Sequence, residues 1–312
     1  MLRHSRTPGE KLGGSSGKIH IGISGWRYQG WRGVFYPKKL AQRRELEFAS
    51  RQFDTIELNG SFYSLQRPES FCRWHAETPP EFTFAIKGSR YITHMLRLRN
   101  VEGPLANFFA QGLLHFGAKL GPILWQFPPN FQFEPKQLEL FFALLPRTRK
   151  QAAELARNHD ERLDHRSWFQ VGQDAPLRHA IEIRHESFVN EEFIKLLRRH
   201  GVGLVVADTV EWPLLMDLTS SFVYCRLHGS QELYASGYDA EALDTWARRV
   251  VTWARGGEVY DGRRASKHDA PTRKRRDVFV YFDNDMKVRA PFDAAQLRDR
   301  VHKLLAGRGE EP

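Results

Sequence analysis

Residues 177–188 read LRHAIEIRHESF, and the fold turns on that stretch. Ala180, Ile181 and Ile183 mark a short buried strand, and its end carries Glu182, Arg184 and His185 almost together. Hydrophobic runs rarely end on three ionisable side chains. In a parallel sheet covered by helices, the carboxyl end of a strand opens into the crevice where α/β proteins bind ligands. Other strands should then end the same way.

Working outward, apolar runs at 19–24, 55–58, 82–87, 122–127, 202–207, 222–227 and 278–282 each stop at polar, glycine or proline residues. Helical periods are expected at 41–52, 68–77, 105–119, 135–145, 191–200, 240–254 and 294–306, and the weakest place is after Asp208. Eight strand-then-helix units predict an α/β fold, a (β/α)8 TIM-type barrel of about 250 residues. A doubly wound open sheet is the alternative. It has less support, because no G-x-G-x-x-G follows any of the strands.

The chain has 312 residues, 41% hydrophobic and 27% charged, which is an ordinary globular composition. We expect a disordered tail at 1–18 and a single barrel domain at 19–306, with long excursions at 147–176 and 256–276. LGGSSGK at 12–18 is not a P-loop, since the glycine spacing is wrong and a strand follows it rather than precedes it. No apolar run approaches the ~20 residues of a membrane span, and no apolar segment follows the basic start, so a cytoplasmic protein without membrane contact is expected. Cys72 and Cys225 sit inside apolar patterns, which favours reduced, buried thiols.

The net charge is +10. Residues 1–18 hold four basic side chains against one acid, and 260–276 hold seven against two, so most of the excess lies outside the folded body. The basic segment, between the seventh helix and the eighth strand, is expected at the amino-terminal face of the barrel. It reads either as a solvated, disordered excursion or as a contact for nucleic acid.

Several motifs recur in a fixed order: GISGWRY at 22–28 with Trp31 and FYP at 35–37, ELNGSFY at 57–63, and TPPEFTFAIK at 78–87. ITH at 92–94, LGPILWQFPP at 120–129, EIR at 182–184, Asp208, RLHG at 226–229 and VYFDND at 280–285 follow. In these the chain resembles the YecE-like proteins, catalogued as domain of unknown function 72, from about 19 to 306. The resemblance implies a TIM-type barrel and no established reaction. Asp283 stands where that family more often has Asn, which adds a carboxylate to the mouth; Gly60 and the basic segment also depart from its pattern.

In a barrel, strand ends converge on the C-terminal face. That places Ser24, Trp26, Tyr28, Glu57, Asn59, Lys87, His94, Gln126, Glu182, Arg184, His185, Asp208, Arg226, His228, Asn284 and Asp285 around one mouth. Taken singly, each acid is as well explained by salt bridges that fill the mouth, yet charge at the end of an apolar barrel is costly to keep without a ligand. His75, His115, His200 and His302 fall on expected helices and carry less weight than His94 and His228.

Three chemistries fit this set. A divalent metal would take Glu182, Asp208, His228 and Asp285, against which stand Arg184 and Arg226 among the same strands. Metal-free acid–base chemistry would use Glu57 and Glu182 as paired carboxylates, with His228 or Lys87 as proton carrier. Anion binding would use Lys87, Arg184 and Arg226 for phosphate, with Trp26, Tyr28, Phe62 or Tyr63 stacking on a sugar or base. Ser24 lacks the G-x-S-x-G of a nucleophile elbow.

The expected function is therefore an enzyme, a hydrolase or isomerase, acting on a small polar or phosphorylated ligand such as a sugar phosphate or nucleotide. Its catalytic set would be Glu57, Glu182, Asp208 and His228. Ligand binding would fall to Trp26, Tyr28, Asn59, Lys87, His94, Gln126, Arg184, Arg226, Asn284 and Asp285. The alternative is a nucleic-acid-binding protein, catalytic or not, that uses its basic surface and stacking aromatics.

Overall fold

Eight short runs of apolar residues pair side by side in the computed structural model, which describes residues 16–229, 233–234 and 236–307. Of the tail expected at 1–18, all but the last three residues lie outside the described residues. The strands are β1 (Ile19–Ser24), β2 (Thr55–Leu58), β3 (Thr83–Lys87), β4 (Leu120–Gln126), β5 (His179–Glu182), β6 (Gly203–Asp208), β7 (Phe222–Leu227) and β8 (Asp277–Phe282). Each runs parallel to its neighbour, and β8 returns to β1, so the sheet closes into an eight-stranded α/β barrel.

Around it lie α1 (Glu45–Ala49), α2 (Gly60–Tyr63), α3 (Pro68–Glu77), α4 (Glu102–Ala110), α5 (Pro135–Leu144), α6 (Arg149–Ala156), α7 (Glu191–His200), α8 (Ala240–Ala254) and α9 (Ala290–Ala306). Strand side chains alternate between two apolar clusters. Ala85, Leu124, Ala180, Val205, Tyr224 and Phe279 fill the barrel, while Phe108, Phe116, Trp125 and Phe141 belong to the layer between strands and helices. Full burial of each such side chain contributes roughly 1.5–3 kcal/mol. The same alternation carries Glu57, Lys87, Gln126, Glu182 and Arg226 to the inner face at the carboxyl end.

The helix expected at 105–119 is two pieces. α4 stops at Ala110, Gly112 turns at φ +118, and a 3-10 stretch runs over Leu113–Lys119. A Cβ on Gly112 would lie 2.7 Å from the Pro68 backbone, so α3 crosses where a continued helix would run. The excursion at 147–176 docks on α4: Asp160 accepts from Asn107 at 2.8 Å, and Trp168 stacks on His115 at 3.9 Å.

No helix follows β6, and this gap explains the basic segment. Residues 209–221 run irregularly, and 255–276 lie along them on the barrel's flank. Asp217 accepts from the Ala265 and Ser266 amides at 2.7 and 2.9 Å, Arg198 of α7 donates to the His268 carbonyl, and Arg249 of α8 pairs with Asp261. The excursion thus fills the place between α7 and α8 that a helix would occupy, rather than standing free as the sequence suggested. Arg263 pairs with Glu186, Arg264 with Asp269, and buried Arg276 donates to the Gly256 carbonyl. Lys267, Arg273, Lys274 and Arg275 stay exposed. Among the described residues, no helix is long and apolar enough to cross a membrane.

Gly88 marks how closely β3 approaches β4. Its amide donates to the Leu124 carbonyl at 2.7 Å, and a Cβ there would lie 2.3 Å from the Trp125 ring. Gly88→Ala is expected to lower stability by about 1–3 kcal/mol through overpacking. The reading is a lower urea midpoint at unchanged slope; an unmoved midpoint contradicts the packing.

Candidate functional site

β7 delivers Arg226 to the centre of the mouth, with none of its side-chain surface exposed. Its fork reaches three other strands or their ends. Nε and Nη2 grip Glu57 of β2 at 3.0 and 2.9 Å, Nη1 donates to Glu182 of β5 at 2.6 Å, and Nη2 donates to Asp283 beyond β8 at 2.8 Å. Glu57 is also held by the Ser24 hydroxyl at 2.6 Å and the Tyr224 hydroxyl at 2.7 Å. Glu182 accepts from Gln126 and from Arg184 Nε, each at 2.8 Å. His228 closes the ring, with Nδ1 3.1 Å from Asp283 and Nε2 3.6 Å from Glu182.

Charge in this ring is fixed by its neighbours. Burial alone would push Glu182 up, but Arg226 and Arg184 override it and hold the carboxylate well below its usual range. Asp283 behaves alike, with burial opposed by Arg226 and His228. Arg226 is held above its ordinary value: burial works against its charge, and Asp283, Glu182 and Glu57 more than compensate. Glu57 and Glu182, expected as an acid–base pair, are therefore clamped counter-ions.

Lys87 is the exception. Only 8% of it is exposed, its Nζ sits 4.4 Å from the Phe62 ring centroid, and among the described residues no hydrogen bond or ion pair reaches it. Burial, then the charge of Arg226, brings its ammonium down to about 8, despite the pull of Glu57, Asp283 and Glu182. A second orphan lies on the preceding strand end: the Asn59 amide donates to Ser24 at 2.9 Å, while its buried Oδ1 has no partner.

His94 is carried by a π-helical turn at Tyr91–Met95 and meets Phe62 edge to face, with Nδ1 2.8 Å from the Thr93 hydroxyl. Burial and then the charges of Arg184 and Lys87 lower its imidazole to about 4. Half-buried Asp285 moves the opposite way, to about 6, through burial and the charge of Asp283. Arg184 lies over Trp212 at 4.0 Å.

Several sequence expectations need correction. Asp208 points outward, where its carboxylate accepts from Trp246 Nε1 at 3.1 Å, because Val205 and Ala207 take the inward phase of β6. Asn284 also turns away and donates to Asp293 at 2.9 Å. Trp26 packs edge-on against Trp74 in the outer core. Tyr28, by contrast, stays at the rim: it leans on Trp31 and donates to the Ser24 carbonyl at 2.5 Å, and burial with the charges of Asp283, Asp285 and Glu57 raises its hydroxyl well above the ordinary value. His185 caps the turn at Ser187. Arg226, expected to hold phosphate, directs its fork at Glu57, Glu182 and Asp283.

The metal set loses Asp208, and among the described residues no group of three His, Cys, Asp or Glu side chains is placed to hold a metal ion. Sequence reading left Tyr224 out and ranked Asp283 as an afterthought. Counting by two from Arg226 and from Tyr281 points to both.

The sequence model of the family described as "Protein of unknown function DUF72" matches residues 20–311. The chain belongs to the DUF72 family. Among curated relatives, the UPF0759 protein YecE of Escherichia coli (strain K12) is 22% identical over 240 residues, which cover 75% of this chain and 82% of that one. The UPF0759 protein YunF of Bacillus subtilis (strain 168) is 32% identical over 118 residues, covering 36% of this chain and 41% of YunF, so that match spans less than half of YunF. A solved DUF72 family protein from Thermotoga maritima MSB8 superposes with a TM-score of 0.67 at 25% identity, covering 91% of this chain and 99% of that one. One from Enterococcus faecalis V583 gives 0.62 at 16% identity over 91% and 95%, a likeness of fold alone.

In this DUF72 barrel, Arg226→Met leaves three buried carboxylates without their shared cation, at an expected cost of about 3–5 kcal/mol. The sign of the pH dependence checks the cause. In the parent, Glu182 and Asp283 lie below their ordinary 4.5 and 3.8, so their contribution is complete above those values and is lost as pH falls through them. In the variant burial pushes carboxyls up, so its stability should rise as pH falls from about 7 toward about 5. Parallel curves for the two proteins would contradict the ring.

Proposed function

We propose that this protein is an enzyme that acts on a small polar ligand at the C-terminal mouth, by acid–base chemistry centred on Lys87. One observation carries the reading: Lys87, only 8% exposed, makes no hydrogen bond or ion pair among the described residues, while the three carboxylates whose charge it feels are all held by Arg226. Such a charge lowers stability and serves no packing role, which is the pattern expected where a ligand supplies the missing contact. The Asn59 carbonyl, also without a partner, would accept from a hydroxyl of the same ligand.

Lys87 would be the proton carrier, Glu57 and Glu182 the fixed field, and Arg184 and His94 the walls of the approach. Asp285 near 6 and Lys87 near 8 leave a window between those values in which a carboxylate base and an ammonium acid coexist. A sugar phosphate or a hydroxy or oxo acid has the required mix of hydroxyl, carbonyl and anion.

Thermal unfolding with such compounds tests the reading. Lys87→Met should raise Tm by a few degrees, because the cost of charging the buried amine disappears. The folded pKa of about 8 lies below the ordinary 10.5, so that gain should be full below 8 and vanish as pH rises through 10.5. A ligand that raises the Tm of the parent with saturation should leave Lys87→Met unmoved. Equal ligand shifts in both proteins, or a lower Tm in the variant, would contradict the proposal.

A further inference from the structure

We propose that Lys87 Nζ forms a covalent imine with the carbonyl carbon of a small oxo compound that also bears a hydroxyl or an anionic group, an inference that rests on the reading of the mouth above. The argument begins with what surrounds the amine. It leaves the end of β3 into the mouth, lies over the Phe62 ring, and makes no hydrogen bond or ion pair among the described residues. Once it has given up its proton, an amine in that setting is also a nucleophile.

Charged groups from every neighbouring element act on it. Arg226 of β7 disfavours its protonation; Glu57 of β2, Glu182 of β5 and Asp283 beyond β8 favour a cation. His94 also packs on Phe62, with Arg184 and Lys87 within its electrostatic reach. An ammonium is strongly hydrated and pays for burial, whereas an iminium spreads its charge over carbon and nitrogen. The ring of carboxylates therefore suits the iminium better than the ammonium it replaces.

The step balances without another reagent. Nζ gives up protons and attacks the carbonyl carbon, the C–O bond of the resulting carbinolamine breaks, and the oxygen leaves as water with two of the three ammonium protons. The C–N bond keeps the third proton and the positive charge. Asn59 Oδ1 is left to accept from a hydroxyl of the oxo compound, and Arg184 to meet its anionic group.

Borohydride trapping tests this on the full chain. The protein is incubated with pyruvate or with glycolaldehyde phosphate and sodium cyanoborohydride, digested, and mapped by mass spectrometry. With the reaction run near pH 8, reduced adduct should collect on the peptide carrying Lys87 at about tenfold or more over exposed Lys38 and Lys39, since burial and Arg226 bring the Lys87 amine down to about 8. Labelling of Lys87 should grow between about pH 6 and pH 9, and Lys87→Arg, checked for folding by circular dichroism, should lose it. Adduct spread evenly over surface lysines, with Lys87 no richer, overturns the imine. If Lys87 stays unmodified while the same compound raises the Tm of the parent and not of Lys87→Met, the imine falls and the wider reading survives. If neither effect is seen, both fall.

Discussion

The mouth of this barrel depends on one guanidinium gripped by three carboxylates. Arg226 sits where no water can share its charge, and Glu57, Glu182 and Asp283 approach it from three other parts of the sheet. Each partner alone would be a buried ion of prohibitive cost. Together they satisfy one another, with Ser24, Tyr224, Gln126 and Arg184 occupying the remaining lone pairs of the two glutamates. A parallel barrel can do this because all eight strands end at the same rim, so a long planar side chain can span its lumen.

That arrangement divides the mouth into locked and free groups. Below the ring, Tyr224 leans on Tyr281, whose hydroxyl lies 2.8 Å from Thr55, and this layer closes the floor. At the level of the ring the acids are neutralised and immobile. Among the described residues, the Lys87 amine and the Asn59 carbonyl on adjacent strand ends stay outside these pairings, with His94 and Asp285 titrating at the edges. The chemistry proposed for the protein follows from this division, since Arg226 takes up the anions that would otherwise pair Lys87.

The strands were legible because each is an apolar run that ends abruptly, and a closed parallel sheet requires that pattern. Which end residues face inward was harder to see. The period of two that runs through Phe222, Tyr224 and Arg226 decides it, and a list built on position at the strand end alone takes in Asp208 and Asn284, whose side chains are one step out of phase. Trp26 read as a platform because aromatic residues at a rim look alike in sequence, whereas Trp74 on α3 had already claimed it. Gly112 carried the break of α4 in plain view. The basic segment was misread for a subtler reason: the sequence marks the stretch after Asp208 as the weakest helix, but that its absence leaves a flank for Arg263, Arg264 and Arg276 to help cover depends on contacts between segments far apart in the chain. That Arg226 holds Glu57, Glu182 and Asp283 together was likewise beyond sequence, since it depends on distances across the lumen.

The most direct test follows the protons on Lys87 itself, by carbon-13 labelling of lysine side chains and NMR titration of the Lys87 Cε resonance. The account predicts a midpoint near 8. A midpoint at or above the ordinary 10.5 would show a carboxylate paired with this amine and would contradict the claim that Arg226 holds all three.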